Sequence, residues 1–185
     1  MENNTKTAFF QDSQNPQNPA KSGLSKRHKQ YFTPEFYAPG IKVLAADDSR
    51  AALFTIEALL HSFRMNVDVC LDGRQAVERV IQSVIPGNRR YDIVILDHVM
   101  PNLYGAAAAA EIKALSPETV VIAVTSECDA SCKEEFIRAG ASDFIEKPIS
   151  SCRVGQILSR YIPESEKIYT NGNAPADTVT KTLQN

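Results

Sequence analysis

The chain has 185 residues, 43% of them hydrophobic, which suffices for one ordinary core once its polar ends are set aside. A formal net charge of -2 provides neither a field suited to nucleic acid nor a polybasic membrane patch, so direct DNA binding is not expected. No apolar run approaches the roughly 20 residues that cross a bilayer, and the polar N-terminus lacks a signal-peptide core, so the expectation is a cytoplasmic protein without membrane contact.

Residues 1–39 are rich in Asn, Gln, Ser, Lys and Pro without a sustained apolar period, and read as a flexible arm. Within it, Lys26, Arg27, His28 and Lys29 precede Tyr31, Phe32, Phe36 and Tyr37. This stretch reads first as a solvated charge run with a packing strap, and second as a docking segment. Residues 40–162 then alternate short apolar runs with helical patterns. The runs at 41–46 (IKVLAA), 67–71 (VDVCL), 91–96 (YDIVIL), 119–124 (TVVIAV) and 143–145 (DFI) predict five strands, the central ones apolar on both faces as parallel strands covered by helices must be.

Leu53, Ile56, Leu59, Leu60 and Phe63 repeat at helical spacing between the first two strands, and Ala76, Val77, Val80, Ile81 and Val84 do so between the next two. The third helix contains the run Ala106 to Ala110, which favours helix but supplies little core volume. Phe136 and Ile137 mark a fourth helix stopping near Gly140, and Val154, Ile157, Leu158 and Tyr161 a fifth that ends before Pro163. The pattern is α/β, a doubly wound five-stranded parallel sheet with five helices. Residues 163–185 turn polar again, with Asn171, Gly172 and Asn173 as a turn signal, and read as a flexible tail. Cys70, Cys128, Cys132 and Cys152 lack paired CxxC spacing and read as reduced thiols without a role; Cys128 and Cys132 can approach over one helical turn, but incidental placement is the preferred reading over a functional pair.

In open sheets of this kind, ligands bind outside the C-terminal ends of the strands. There the first strand delivers Asp47 and Asp48, the third Asp97, the fourth Thr125, and the fifth Lys147 followed by Pro148. Three carboxylates brought together repel one another unless a cation sits among them. Mg2+ suits such hard oxygen ligands and keeps waters that a substrate can displace. Lys147 offers a positive charge, and Thr125 a hydroxyl donor, for phosphoryl oxygens.

Across about residues 41–162 the chain resembles the receiver domain of two-component response regulators. The resemblance rests on Asp47-Asp48, the strand 93–96 leading to Asp97, Met100-Pro101, Gly105, Thr125-Ser126 and Lys147-Pro148. It implies a flavodoxin-like strand order 2-1-3-4-5, with Asp97 as the phosphoacceptor and Lys147 and Thr125 as its catalytic partners. It further implies Mg2+ held by Asp48, Asp97 and the main-chain carbonyl of Val99, with Asp47 acting through water. Thr125 and Phe144 become switch residues, and the Lys147-Pro148 peptide matches a cis position. Its phosphodonor would be a histidine kinase or histidine phosphotransfer protein. Output would be contact with a downstream protein or homodimerisation on phosphorylation, and the activity that of a signalling receiver catalysing its own phosphorylation and dephosphorylation.

Two other readings stay open: a receiver-like interaction module that works without phosphorylation, and a haloacid-dehalogenase-like phosphohydrolase. Chain order argues against the second, because the acidic pair precedes the nucleophile and position 99 is Val. Some residues depart from the family pattern. Tyr104 stands where many receivers have Asp, so a capping interaction is expected to be lost. Ala108 and Ala109 predict an underfilled or repacked core. His98 is expected to point away from Asp97, and Val99 with Glu127 predicts slow loss of the phosphoryl group.

Overall fold

The computed structural model describes residues 34–126 and 130–170. In chain order its elements are β1 (Phe36–Tyr37), β2 (Lys42–Ala46), α1 (Arg50–Ser62), β3 (Asn66–Cys70), α2 (Gly73–Ser83), β4 (Ile93–Asp97), α3 (Gly105–Leu115), β5 (Val120–Thr125), α4 (Ala130–Arg138), β6 (Asp143–Glu146), α5 (Ser151–Tyr161), a 3-10 turn (Glu164–Glu166) and β7 (Ile168–Tyr169). Five strands form one sheet in the order β3-β2-β4-β5-β6, with every pairing parallel. Counted within that sheet, this is 2-1-3-4-5.

Alternation along the strands divides the core in two. Val43, Ala45, Ile93, Ile95, Ile122, Val124 and Ile145 face α1 and α5, burying Leu60, Phe63, Ile157 and Leu158. Leu44, Ala46, Val94, Leu96, Val121 and Ala123 face α2, α3 and α4, burying Val77, Ile112 and Phe136. A period of two sends successive side chains to opposite faces, so a sheet sandwiched between helices needs apolar residues at every position. Side-chain oxygens of Ser49, Asp72 and Ser150 cap α1, α2 and α5. Each helix therefore begins within a few residues of the preceding strand, which keeps the loops at this edge short.

The alanine run does not leave the core underfilled. Ala108 and Ala109 are fully buried, and a Cβ placed on Gly73 of α2 would lie 3.2 Å from the Ala108 Cβ. Small side chains on α3 are matched by close approach of α2, so packing is tight here and the expectation of an underfilled or repacked core does not hold. Tyr104 precedes α3 without a side-chain capping bond, and its ring is exposed.

Both segments read as flexible are folded where they are described, so order extends beyond 40–162. Strand β1 pairs antiparallel with β7, placing Phe36 opposite Tyr169 and Tyr37 opposite Ile168. The Thr170 hydroxyl donates to the Pro34 carbonyl, 136 positions away, at 2.9 Å. Phe36 rests on Phe63 with ring centroids 5.4 Å apart, and the Lys167 ammonium donates to the Ser159 carbonyl at 2.7 Å. This clasp joins both chain flanks to α1 and α5. Residues 26–33 of the basic-aromatic stretch lie outside the described residues. Replacing Phe36 with Ala is expected to cost about 3 kcal/mol in urea denaturation; a loss below about 0.5 kcal/mol would make the clasp incidental.

Among the cysteines, Cys70 and Cys152 are free, whereas Cys132 is disulfide-bonded, so the expectation of reduced thiols throughout does not hold. Cys128 and Glu127 lie outside the described residues. No helix among the described residues is long and apolar enough to cross a membrane.

Candidate functional site

The parallel register brings the strand ends into line. Ala46, just before Asp47, pairs with Leu96, just before Asp97, and Thr125 pairs with Glu146, just before Lys147. All five predicted side chains are thereby delivered to one edge of the sheet. The backbone N–H of Lys147 donates to the Thr125 carbonyl at 2.8 Å, extending the ladder to the residue that matters, and the Lys147-Pro148 peptide is cis.

At the centre, Lys147 Nζ lies 2.7 Å from Asp47 Oδ2 and 2.7 Å from Asp97 Oδ1. The Asp47 and Asp97 side chains are only 1% and 10% exposed, so this is a largely desolvated bridge rather than a surface pair. Asp47 also accepts the Ser49 N–H at 2.8 Å, and Asp97 accepts the Val99 N–H at 3.1 Å. Asp48 is exposed and completes a cluster in which one oxygen from each of Asp47, Asp48 and Asp97 lies within 4.8 Å of the others. Thr125 is buried at the end of β5.

Among the described residues charge is unbalanced here: three carboxylates face a single ammonium. Burial pushes the Asp97 carboxyl above the usual range, repulsion from Asp47 adds to the rise, and Lys147 only partly offsets both. Burial works against the charge on Lys147, but its bonds to Asp47 and Asp97 outweigh it and hold the ammonium above its ordinary pKa. One cation is thus saturated while a carboxylate remains undercompensated. A hard divalent cation with oxygen preference fits that donor set.

The raised Asp97 pKa has a consequence for stability. A carboxyl whose folded pKa exceeds its unfolded one stabilises the fold when protonated, and that contribution disappears as pH rises through the folded value. Ionised Asp97 is therefore a liability at neutral pH. Without divalent metal, Asp97→Asn is expected to raise the Tm by a few degrees at neutral pH, with the gain shrinking toward about pH 4. Thermal melts in a chelator across that range check it; a lower Tm for the variant at neutral pH would contradict the charge imbalance.

The segment between β4 and α3 is closed at its base by the Gly105 N–H, which donates to the His98 carbonyl at 2.9 Å. His98 itself turns toward α4. Its ring lies 5.6 Å from Phe136, which meets Phe144 edge-on at 6.2 Å, and its Nδ1 is buried with no hydrogen-bond partner among the described residues. Phe144 is half-buried on β6, and Val99 is exposed. In the sequence Phe136 stands out only as a helix marker, and nothing singles out Asp72 and Asn102, whose side chains bond to each other beside this segment.

A sequence model described as the response regulator receiver domain matches residues 43–159. Signal transduction histidine-protein kinase BarA of Escherichia coli (strain K12) is 37% identical over 148 residues, covering 73% of this chain and 16% of the kinase. Autoinducer 2 sensor kinase/phosphatase LuxQ of Vibrio vulnificus (strain YJ016) is 30% identical over 135 residues, covering 71% of this chain and 15% of its own. The chain thus spans about a sixth of the length of these curated relatives. Among solved structures, the receiver domain of sensor histidine kinase PA1611 from Pseudomonas aeruginosa PAO1, with a magnesium ion in its active site cleft, superimposes with a TM-score of 0.59. That match has 30% identity and covers 66% of this chain and 97% of the other. Chemotaxis protein CheY4 of Vibrio cholerae matches with a TM-score of 0.59 and 26% identity, covering 66% and 98%.

Proposed function

This chain belongs to the response regulator receiver domain family, the receiving element of two-component and phosphorelay signalling, and we propose that Asp97 is its phosphoacceptor. The observation that carries this reading is the Lys147 ammonium bridging Asp47 and Asp97 at 2.7 Å each, beside Asp48, at the C-terminal edge of a parallel sheet. Asp97 Oδ attacks the phosphorus of a phosphohistidine on a histidine kinase or phosphotransfer protein. The P–N bond breaks, the imidazole leaves, and an acyl phosphate forms on Asp97. Lys147 is placed to leave Asp47 and meet a phosphoryl oxygen, and the Thr125 hydroxyl to donate to another.

The donor set suits Mg2+, held by Asp48, Asp97 and the Val99 main-chain carbonyl, with Asp47 acting through water. The metal would neutralise charge on the transferring group. Everything else asked of the protein is positioning, because phosphoryl transfer through a loose transition state needs little covalent help. Movement of Thr125 toward the phosphoryl group would favour a different packing of Phe144 against Phe136, and thereby a changed surface on α4, β6 and α5. Output by protein contact follows, whether with a downstream target or a second copy.

Incubation with Mg2+ and acetyl phosphate is expected to add one phosphoryl group by mass to wild type and none to Asp97→Ala. No Asp97-dependent product, with acetyl phosphate or a histidine phosphodonor, would leave a phosphorylation-independent module. Sustained turnover of a phosphate ester would favour the hydrolase.

A further inference from the structure

Asp72 caps α2, yet it does more than a cap requires. The serines that cap α1 and α5 each use their one side-chain oxygen for one backbone N–H, Ala52 and Arg153 respectively. Asp72 uses Oδ1 for the Gln75 N–H at 2.9 Å, and its second oxygen accepts from Gln75 Nε2 at 2.6 Å and Asn102 Nδ2 at 3.1 Å. Asp72 is 5% exposed, so the second oxygen is largely withdrawn from water and depends on these donors.

Asn102 is at the tip of the segment that begins at Asp97. Its φ of 63° lies in the left-handed region, which Asn tolerates better than most residues. The backbones meet closely beside this bond: a Cβ on Gly73, next to Asp72, would come 2.2 Å from the Leu103 carbonyl oxygen. Residues 98–105 are therefore held twice, at the base by the bond from Gly105 to the His98 carbonyl and at the tip by Asn102 bonded to Asp72. Val99, whose carbonyl the proposed function gives to the metal, lies between the two restraints.

We infer that Asp72 and Asn102 form a latch that fixes the conformation of residues 98–105, making Asp72 a positioning residue for the Asp97 site. The latch sets where the Val99 carbonyl stands relative to Asp97, and hence how well the site holds a divalent cation. This inference rests on the proposed reading of Asp97 and Val99.

Two variants separate the latch from ordinary structure. Asp72→Ser retains a capping oxygen for α2 and loses the oxygen that reaches Asn102. Asn102→Gly retains the left-handed backbone and loses the amide. Each is expected to weaken Mg2+ binding by about tenfold in calorimetric titration, as losses of groups supporting a metal site commonly do. The double variant should be no weaker than either single one, because all three remove the same contact. Asp72→Asn, which can cap Gln75 and meet a turned Asn102 amide, should restore most of the affinity.

Hydrogen exchange of the Val99 and Gly105 amides in metal-free protein provides a readout independent of the metal, and should quicken in both single variants. Unchanged exchange in both would overturn the latch, as would affinities within about twofold of wild type. Wild type that binds no Mg2+ and takes no phosphoryl group would instead count against the site reading, while the exchange rates still decide the latch.

Discussion

Replacing Lys147 with Ala will slow the acetyl phosphate reaction at Asp97 by about a hundredfold or more, while Mg2+ still binds. Among the described residues the Lys147 ammonium is the cation placed between the proposed phosphoacceptor and its neighbouring carboxylate, and its bonds to Asp47 and Asp97 are equal in length. On the proposed reading it would be aligned for a phosphoryl oxygen before any phosphodonor arrives. Charge developing on the transferring group would then meet a fixed positive charge rather than water, which must reorganise. Without it, Asp47 and Asp97 face each other uncompensated. Lys147 is 26% exposed, so metal-free stability should fall by roughly 1–2 kcal/mol, less than when a fully buried pair is broken. Added Mg2+ should recover most of that loss, because the cation answers the same repulsion. Initial rates from phosphoprotein separation, with melts in chelator and in Mg2+, measure both effects. A rate within about tenfold of wild type would place the stabilisation of the transferring charge on another group.

The site was legible in the sequence because a parallel strand buried on both faces reads as an uninterrupted apolar run that stops at the functional edge. Ile93 to Leu96 announces that edge by ending in Asp97, and the run from Ile41 to Ala46 does so by ending in Asp47 and Asp48. Side-chain alternation and the short capped loops follow from local rules. Strand order does not: 2-1-3-4-5 came from family resemblance, since periodicity carries no information on which strands are neighbours. The clasp is not legible in the sequence, because each of its strands has two residues and its partners are separated by most of the chain. The contact between Asp72 and Asn102 is hidden in the sequence for a related reason. Asp72 looks like any helix cap, and only the fold brings Asn102 to its second oxygen. For the alanine run, side-chain volume alone predicted a gap, but a helix is free to move inward where its side chains are small, and α2 and α3 come together at Gly73 and Ala108.

Gly105→Ala should damage both stability and phosphorylation, because Gly105 is where helix α3 touches β4 at Asp97, the proposed phosphoacceptor. A Cβ there would lie 2.1 Å from the Asp97 carbonyl oxygen and 2.8 Å from Phe136 Cζ. The first neighbour is backbone at the end of β4, so relief requires moving Asp97 or backing α3 away from Phe136, which is fully buried. Overpacking of this kind typically costs about 1–3 kcal/mol, and a rigid backbone neighbour puts Gly105 toward the upper end. A shift of Asp97 also misplaces the attacking oxygen, so phosphorylation should fall by about tenfold or more. Gly155→Ala is the matching control. It sits within α5, its added Cβ would make an ordinary 3.4 Å contact with Phe63, and Ala is the better helix former, so stability should hold or improve by up to about 1 kcal/mol. Urea denaturation of both variants, with acetyl phosphate rates in Mg2+, separates a local clash from a general intolerance of added methyl groups. If Gly105→Ala matches wild type in both assays, α3 yields without carrying Asp97 with it, and the helix and phosphoacceptor are less tightly joined than their contact distances require.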